Sequence, residues 1–168
     1  NIFSDKKSDL GLAKSGLNFL GGIMNHAKSM VAITNPTVNS YKRINAPVTQ
    51  SGATWAPNTV TWSGNNRTHM VRIPGPGRFE LRLPDGATNP YLLQAVIIAA
   101  GMMGIDTKAD PGKRYDNDIY SDRTTDNEVE KLPANLLDAL REFEKDEHLK
   151  SMLGSEFSDA YIKLKNQE

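Results

Sequence analysis

The sequence predicts an α+β domain: a small antiparallel sheet packed with helices and closed by a helical C-terminus. Three observations point there. Apolar residues recur at three- and four-residue spacings from Leu10 to about Ile33, and again beyond Pro133, which marks helices with one buried face. From Arg78 to Leu83 the pattern switches to strict alternation, the mark of a strand with one polar and one apolar face. The Pro74–Gly77 run, PGPG, sits just before that strand and supplies turn chemistry. A chain of 168 residues has room for one domain with a real core.

Taken in order, residues 1–9 are polar and predict a loop. A long helix follows from Leu10 to about Ile33, with Leu12, Leu17, Leu20, Ile23, Met24, Ala27, Met30 and Val31 on its apolar stripe. Gly16, Gly21 and Gly22 each cost such a helix ~1 kcal/mol of propensity, so their presence predicts close packing against another element. Asn35-Pro36 ends the helix, because a residue before proline avoids the helical region. Residues 45–66 form a long stretch rich in Asn, Thr, Gly, Ser and Pro, and irregular segments of that length in a domain are often functional. Within it, Thr59 to Trp62 predicts a short strand, with Trp55 and Trp62 as buried anchors.

Met70 to Ile73 and Arg78 to Leu83 then predict the two strands of a hairpin. Asn89 and Pro90 are suited to the cap and first position of a helix running to about Ile105. That helix is apolar almost all round, so it is expected to be buried in a large core. Its apolar run, Ala95 to Ile105, is shorter than the ~20 residues of a membrane span. Residues 106–133 are charged and turn-rich and read as a surface loop. Three helices close the chain: Pro133 to about Asp146, Glu147 to Leu153 (ended by Gly154), and about Glu156 to Lys165.

Lys plus Arg and Asp plus Glu are both 20, giving a formal net charge of zero. That argues against a nucleic-acid binder, which carries a basic excess. There is no cysteine, hence no disulfide framework, thiolate nucleophile or cysteine zinc site. No apolar leader opens the chain and no membrane anchor is legible, so a cytoplasmic location is expected. The start at Asn1 without a methionine predicts a piece of a longer chain.

The chemistry concentrates between Asn65 and Asp85, a stretch with four arginines, one glutamate and no lysine. Arg72, Arg78, Glu80 and Arg82 are expected on the polar face of the hairpin. One reading is a solvated face of mixed charge. The other is an anion site, since the planar guanidinium fork matches carboxylate and phosphate, with the glutamate as a charge partner or metal ligand. Phosphoryl transfer uses both cations on the moving oxygens and carboxylates on the metal ions. His26, His69 and His148 are too scattered for a metal site, and no Walker-type loop or nucleophile elbow is present.

Five motifs occur in an order that resembles one family: NPTVNSYKR (Asn35–Arg43), NNR (Asn65–Arg67), MVRIP (Met70–Pro74), RFELRLPD (Arg78–Asp85) and NPYLLQA (Asn89–Ala95). The chain resembles, from end to end, the C-terminal portion of the glutamine synthetase catalytic domain, and within that family the rhizobial or type III enzymes and the γ-glutamylmethylamide synthetases. The resemblance implies an ATP-dependent glutamate–ammonia ligase working through γ-glutamyl phosphate, with Mg2+ or Mn2+. It implies Arg43 and Arg82 on glutamate, Arg67, Arg72 and Arg78 on ATP, Glu80 on a metal ion, and Arg82 with Arg67 as catalytic groups. It also implies a homo-oligomer with active sites between subunits, no nucleic-acid or membrane partner, and an isolated 168-residue piece that is inactive.

Two departures accompany the likeness. Common bacterial members carry a flap glutamate after SYKR, whereas no acidic residue lies between Arg43 and Glu80 here. Tyr120 falls near the place of a tyrosine that some members adenylylate, but DNDIYSDR only partly matches the surrounding motif, and that regulation is not carried over. The nucleophile implied is therefore ammonia or a small amine such as methylamine. A non-catalytic relative with a structural role is the reading from a different class.

Overall fold

Pro76 and Gly77 set the central hairpin. Gly77 has φ +70°, the left-handed value that a type II turn requires after proline. A Cβ there would sit 2.7 Å from Asn1 Nδ2 and 2.8 Å from Ser4 Cβ, so space as well as backbone selects glycine. The computed structural model describes residues 1–47, 49, 56–120 and 128–168. Trp55, expected as an anchor, lies outside them, while Trp62 is buried.

The sheet has three strands, β1 (Trp62–Ser63), β2 (Val71–Gly75) and β3 (Arg78–Leu81), in that spatial order. β2 and β3 pair antiparallel, with Val71 opposite Leu81, Arg72 opposite Glu80 and Gly75 opposite Arg78. The register slips between Arg72 and Gly75, where Pro74 has no N–H to give to the ladder. The expectation of a purely antiparallel sheet is corrected: β1 runs parallel to β2. Residues 64–70 loop back so that Val71 enters beside Trp62 in the same direction, held by Val71 N–H to Thr61 O (3.0 Å) and Ile73 N–H to Gly64 O (3.0 Å).

The long N-terminal helix is two helices, α1 (Lys14–Asn25) and α2 (Ala27–Thr34), broken at His26. His26 Nδ1 pairs with Asp146 Oδ2 at 2.6 Å, so this histidine is a structural tie. A short helix, α3 (Ser40–Ile44), carries SYKR. Then follow α4 (Pro90–Thr107), α5 (Leu136–Lys145), α6 (Glu147–Leu153) and α7 (Ser155–Lys165). Asn89 caps α4 by accepting from Tyr91 N–H (2.9 Å) and Leu92 N–H (3.3 Å), as its position before Pro90 predicts.

α1 crosses α4 at glycines. A Cβ on Gly22 would lie 2.0 Å from the Ala100 carbonyl oxygen, and one on Gly104 would lie 2.2 Å from the Asn18 carbonyl oxygen. Backbone therefore touches backbone, which is the packing that the glycines of α1 predict. The core spreads from this crossing through Leu20, Ile23, Met30, Met70, Leu83, Phe143 and Leu149. Phe3, Phe19 and Phe79 cluster on the apolar side of β3, with ring centroids 5.2–6.2 Å apart.

The expected all-round burial of α4 does not hold among the described residues. Its buried side comprises Val96, Ala99, Ala100, Gly101 and Gly104, while Tyr91, Ile98 and Met102 are exposed. α4 packs against α1, α2 and α6, which together cover one side. The helix is also longer than its apolar run, and its 18 residues meet the length and composition of a membrane span. Its other side is bound into the helical core.

Candidate functional site

The hairpin register places a carboxylate between two guanidinia. Arg72 and Glu80 face each other across β2 and β3, and Arg72 Nη2 lies 3.3 Å from Glu80 Oε2. Two residues on, Arg82 Nε lies 3.5 Å from Glu80 Oε1. The arginine side chains are largely covered, at 13% and 16% exposure, against 45% for Glu80. Burial pushes the Arg82 guanidinium below the ordinary arginine range, and the neighbouring Arg43 and Arg72 push the same way. Tyr120 and Glu80 oppose that shift.

Arg43 joins this group from α3. Its Nη1 donates to Leu83 O (3.0 Å) and its Nη2 to Arg82 O (2.9 Å). Two of its five N–H groups are thus used on backbone, and the rest of the fork remains for a ligand. The Arg82 guanidinium donates in turn to the carbonyls of Arg67 and His69, the latter at 3.4 Å. Arg67 is exposed on the turn before β2, and Arg78 is exposed at the start of β3 beside the hairpin tip. Arg43, Arg72, Glu80 and Arg82 therefore form one cluster with Arg67 at its margin, and Arg78 stands apart at the tip.

One polar atom in the cluster has no partner. Arg72 Nε is buried and makes no hydrogen bond. A buried donor left unmet costs roughly 1–3 kcal/mol; the electropositive character of the cluster comes instead from three guanidinia, Arg43, Arg72 and Arg82, against the one carboxylate of Glu80, a balance fit for an anion such as a nucleotide phosphate. The fit to a metal is narrower. Among the described residues no three His, Cys, Asp or Glu side chains gather as a metal cage. Glu80 offers a single half-exposed carboxylate, one ligand of a site whose others would come from elsewhere.

Sequence reasoning passed over the groups behind this wall. Residues 106–133 read as a surface loop, yet Asp116–Tyr120 are tied to the segment before β2. Asn66 Nδ2 and His69 Nε2 both lie 2.9 Å from Asn117 O, and Ile119 N–H donates to Thr68 Oγ1 at 3.2 Å. Tyr120 donates its hydroxyl to Ala56 O at 2.7 Å. Burial raises the Tyr120 phenol, against the pull of Arg82 and Arg43. An aromatic and an Asx-type turn inside the charged stretch are the only sequence signals of this. A cavity of about 580 Å3 between α3, α5 and α7 is apolar and lined by none of the six candidate residues.

A model of the glutamine synthetase catalytic domain matches residues 1–168. The chain belongs to the glutamine synthetase family. Glutamine synthetase of Rhizobium meliloti (strain 1021) is 67% identical over 168 residues, covering all of this chain and 39% of that protein. Glutamate–methylamine ligase of Methyloversatilis universalis is 43% identical over 173 residues, again covering all of this chain and 39% of that protein. A solved structure described as a GmaS/ADP complex superposes with a TM-score of 0.92 at 58% identity, over all of this chain and 38% of the other. A second, apo GmaS without ligand, gives 0.87 at 51% identity. The chain thus spans about two fifths of the length of the relatives it matches. The α+β architecture of the family, helices around a small sheet, is the one observed.

Proposed function

We propose that this chain forms one wall of the active site of an ATP-dependent glutamate–ammonia ligase that makes glutamine through γ-glutamyl phosphate. The observation that carries the reading is the Arg72–Glu80–Arg82 cluster joined by Arg43, in a chain of the glutamine synthetase family. ATP, when bound, supplies the phosphoryl group that turns the glutamate side chain into an acyl phosphate. Arg72 and Arg67 hold nucleotide phosphate oxygens, and Arg78, at the hairpin tip, contacts the nucleotide elsewhere. Arg82 neutralises charge on the oxygens in transfer, which a preorganised, partly desolvated guanidinium does well. Glu80 ligates a divalent ion, Mg2+ or Mn2+, and keeps Arg72 and Arg82 apart at the correct spacing. Arg43, fixed by the carbonyls of Arg82 and Leu83, orients the glutamate.

The remaining metal ligands and the opposite wall belong to other parts of the complete protein, which acts as a cytoplasmic homo-oligomer with no nucleic-acid or membrane partner. The test is coupled ADP release by the complete protein. Turnover is expected to require glutamate, an amine and a divalent ion together. Arg82→Ala is expected to lower kcat by roughly 100-fold or more, with glutamate affinity, held by Arg43, less affected. A complete protein that binds neither nucleotide nor glutamate would favour a non-catalytic relative instead.

A second reading changes only the nucleophile. No acidic residue lies between Arg43 and Glu80, and both superposed structures named above are of GmaS. On that reading methylamine, rather than ammonia, attacks the acyl phosphate. Measuring kcat/KM for ammonium and methylamine side by side decides between them.

A further inference from the structure

Arg67 and Arg82 owe their placement to a short turn, and that turn is pinned from behind. Asn66 Oδ1 accepts from Thr68 N–H (2.9 Å) and from Thr68 Oγ1 (2.8 Å), closing an Asx turn around Arg67. The Asn66 amide and the His69 ring then reach the same acceptor, the Asn117 carbonyl, each at 2.9 Å. The two contacts bracket Arg67. The carbonyls of Arg67 and His69, on the same turn, accept from the Arg82 guanidinium.

His69 is fully buried. A carbonyl only accepts, so Nε2 carries the proton, and Nδ1 is the buried ring atom without a partner. Charging this ring would bury a cation beside Arg82, and burial accordingly lowers its pKa from the ordinary histidine range. A neutral donor of fixed tautomer is what a mechanical tie requires.

We propose that His69 and Asn66 are positioning residues, which clamp the Asn65–Met70 turn onto the Asn117 carbonyl and so hold Arg67 and Arg82 in register for an anionic substrate. This rests on the ligase reading for the identity of the substrate, a nucleoside triphosphate, but the clamp itself stands on the hydrogen bonds alone. Neither residue touches the reacting atoms. Their effect passes through the backbone to the two arginines.

Three variants of the complete protein test it. His69→Leu removes the donor, His69→Gln keeps an N–H where Nε2 stood, and Asn66→Asp keeps the Asx turn but faces the Asn117 carbonyl with an oxygen. His69→Leu and Asn66→Asp are expected to lower kcat/KM for ATP by roughly 10- to 100-fold, as small misplacements of a binding group do. The KM for glutamate is expected to stay within about twofold of its starting value, and His69→Gln to recover most of the loss. Crystal structures of the variants supply the second readout: the Arg82 guanidinium should leave the Arg67 carbonyl in His69→Leu and remain on it in His69→Gln. Unchanged kcat/KM with Arg82 in place sinks the clamp. So does a loss shared equally by His69→Gln and matched by a lower Tm, which is plain destabilisation. If the unmutated protein shows no turnover, the ligase reading fails, and the position of Arg82 in the two His69 crystal structures still decides the clamp.

Discussion

Glu80 is the residue on which the arginine wall balances. Its carboxylate sits 3.3 Å from Arg72 and 3.5 Å from Arg82, and without it two covered guanidinia would repel. Glu80→Gln keeps the shape and removes the charge. It is expected to raise the divalent-ion concentration needed for half-maximal turnover and to lower kcat by roughly 10-fold or more, as a metal titration of the activity would read. Stability should change by less than about 1 kcal/mol, because Glu80 is half exposed and such pairs are weak. His69 is predicted through its pH dependence. Its folded pKa is depressed by burial, so the unfolded chain takes up a proton first as pH falls. The stability contribution is complete above about pH 6.5, the unfolded value, and is lost as pH drops from there toward the folded pKa. Denaturant melts between pH 7 and pH 5 should show this slope, and His69→Gln should flatten it. At this scale the sequence was informative about charge, since alternation alone aligned Arg78, Glu80 and Arg82. It was silent about His69, because a lone histidine acquires meaning only from the carbonyl that folding brings to it.

The α1–α4 crossing shows how a helix is chosen against its own propensity. Gly22→Ala would gain up to ~1 kcal/mol as an isolated helix change. Here the new methyl meets the Ala100 carbonyl oxygen at 2.0 Å, and backbone cannot step aside as a side chain can. We expect a net loss of about 2 kcal/mol or more, in the range of an overpacked core. Gly86→Ala, where nothing lies within 4 Å, should stay within about 0.5 kcal/mol. Thermal melts of the pair check both. Closeness was legible, since glycines in an otherwise apolar helix have few other reasons to be there. The partner was not, because Gly101 and Gly104 lie some eighty residues away. The break at His26 and the parallel entry of β1 were equally hidden. The break at His26 has no proline or glycine at the point of change, and Gly64 after β1 marks a turn without fixing the direction in which the chain returns; both follow from contacts made with other segments.

Across the whole molecule, net charge is zero and the arginines form a local field only. Among the described residues most of the exposed large apolar side chains are grouped: Tyr91, Ile98 and Met102 on the outer side of α4, and Val38, Leu137 and Leu164 near the α3–α5–α7 cavity, with Ile2 and Met152 apart from them. Exposed apolar groups gathered in this way favour association. The 168-residue chain is expected to self-associate as concentration rises, and Ile98→Glu with Met102→Glu should weaken that association, as light scattering over a dilution series would show. Association unaffected by both substitutions would remove the α4 face from consideration.

By itself the sequence determined the class of the fold, the hairpin, the Asn89 cap of α4 and the residues gathered on the polar face of the hairpin. Those depend on period, turn chemistry and propensity, all of which act over a few neighbours. Only the tertiary structure decided that Arg43 reaches the carbonyls of Arg82 and Leu83, that Asp116–Tyr120 strap the turn carrying Arg67, and that one side of α4 stays uncovered. Each of these depends on which distant backbone groups meet in space, and a buried carbonyl leaves no mark on the side chains that will find it.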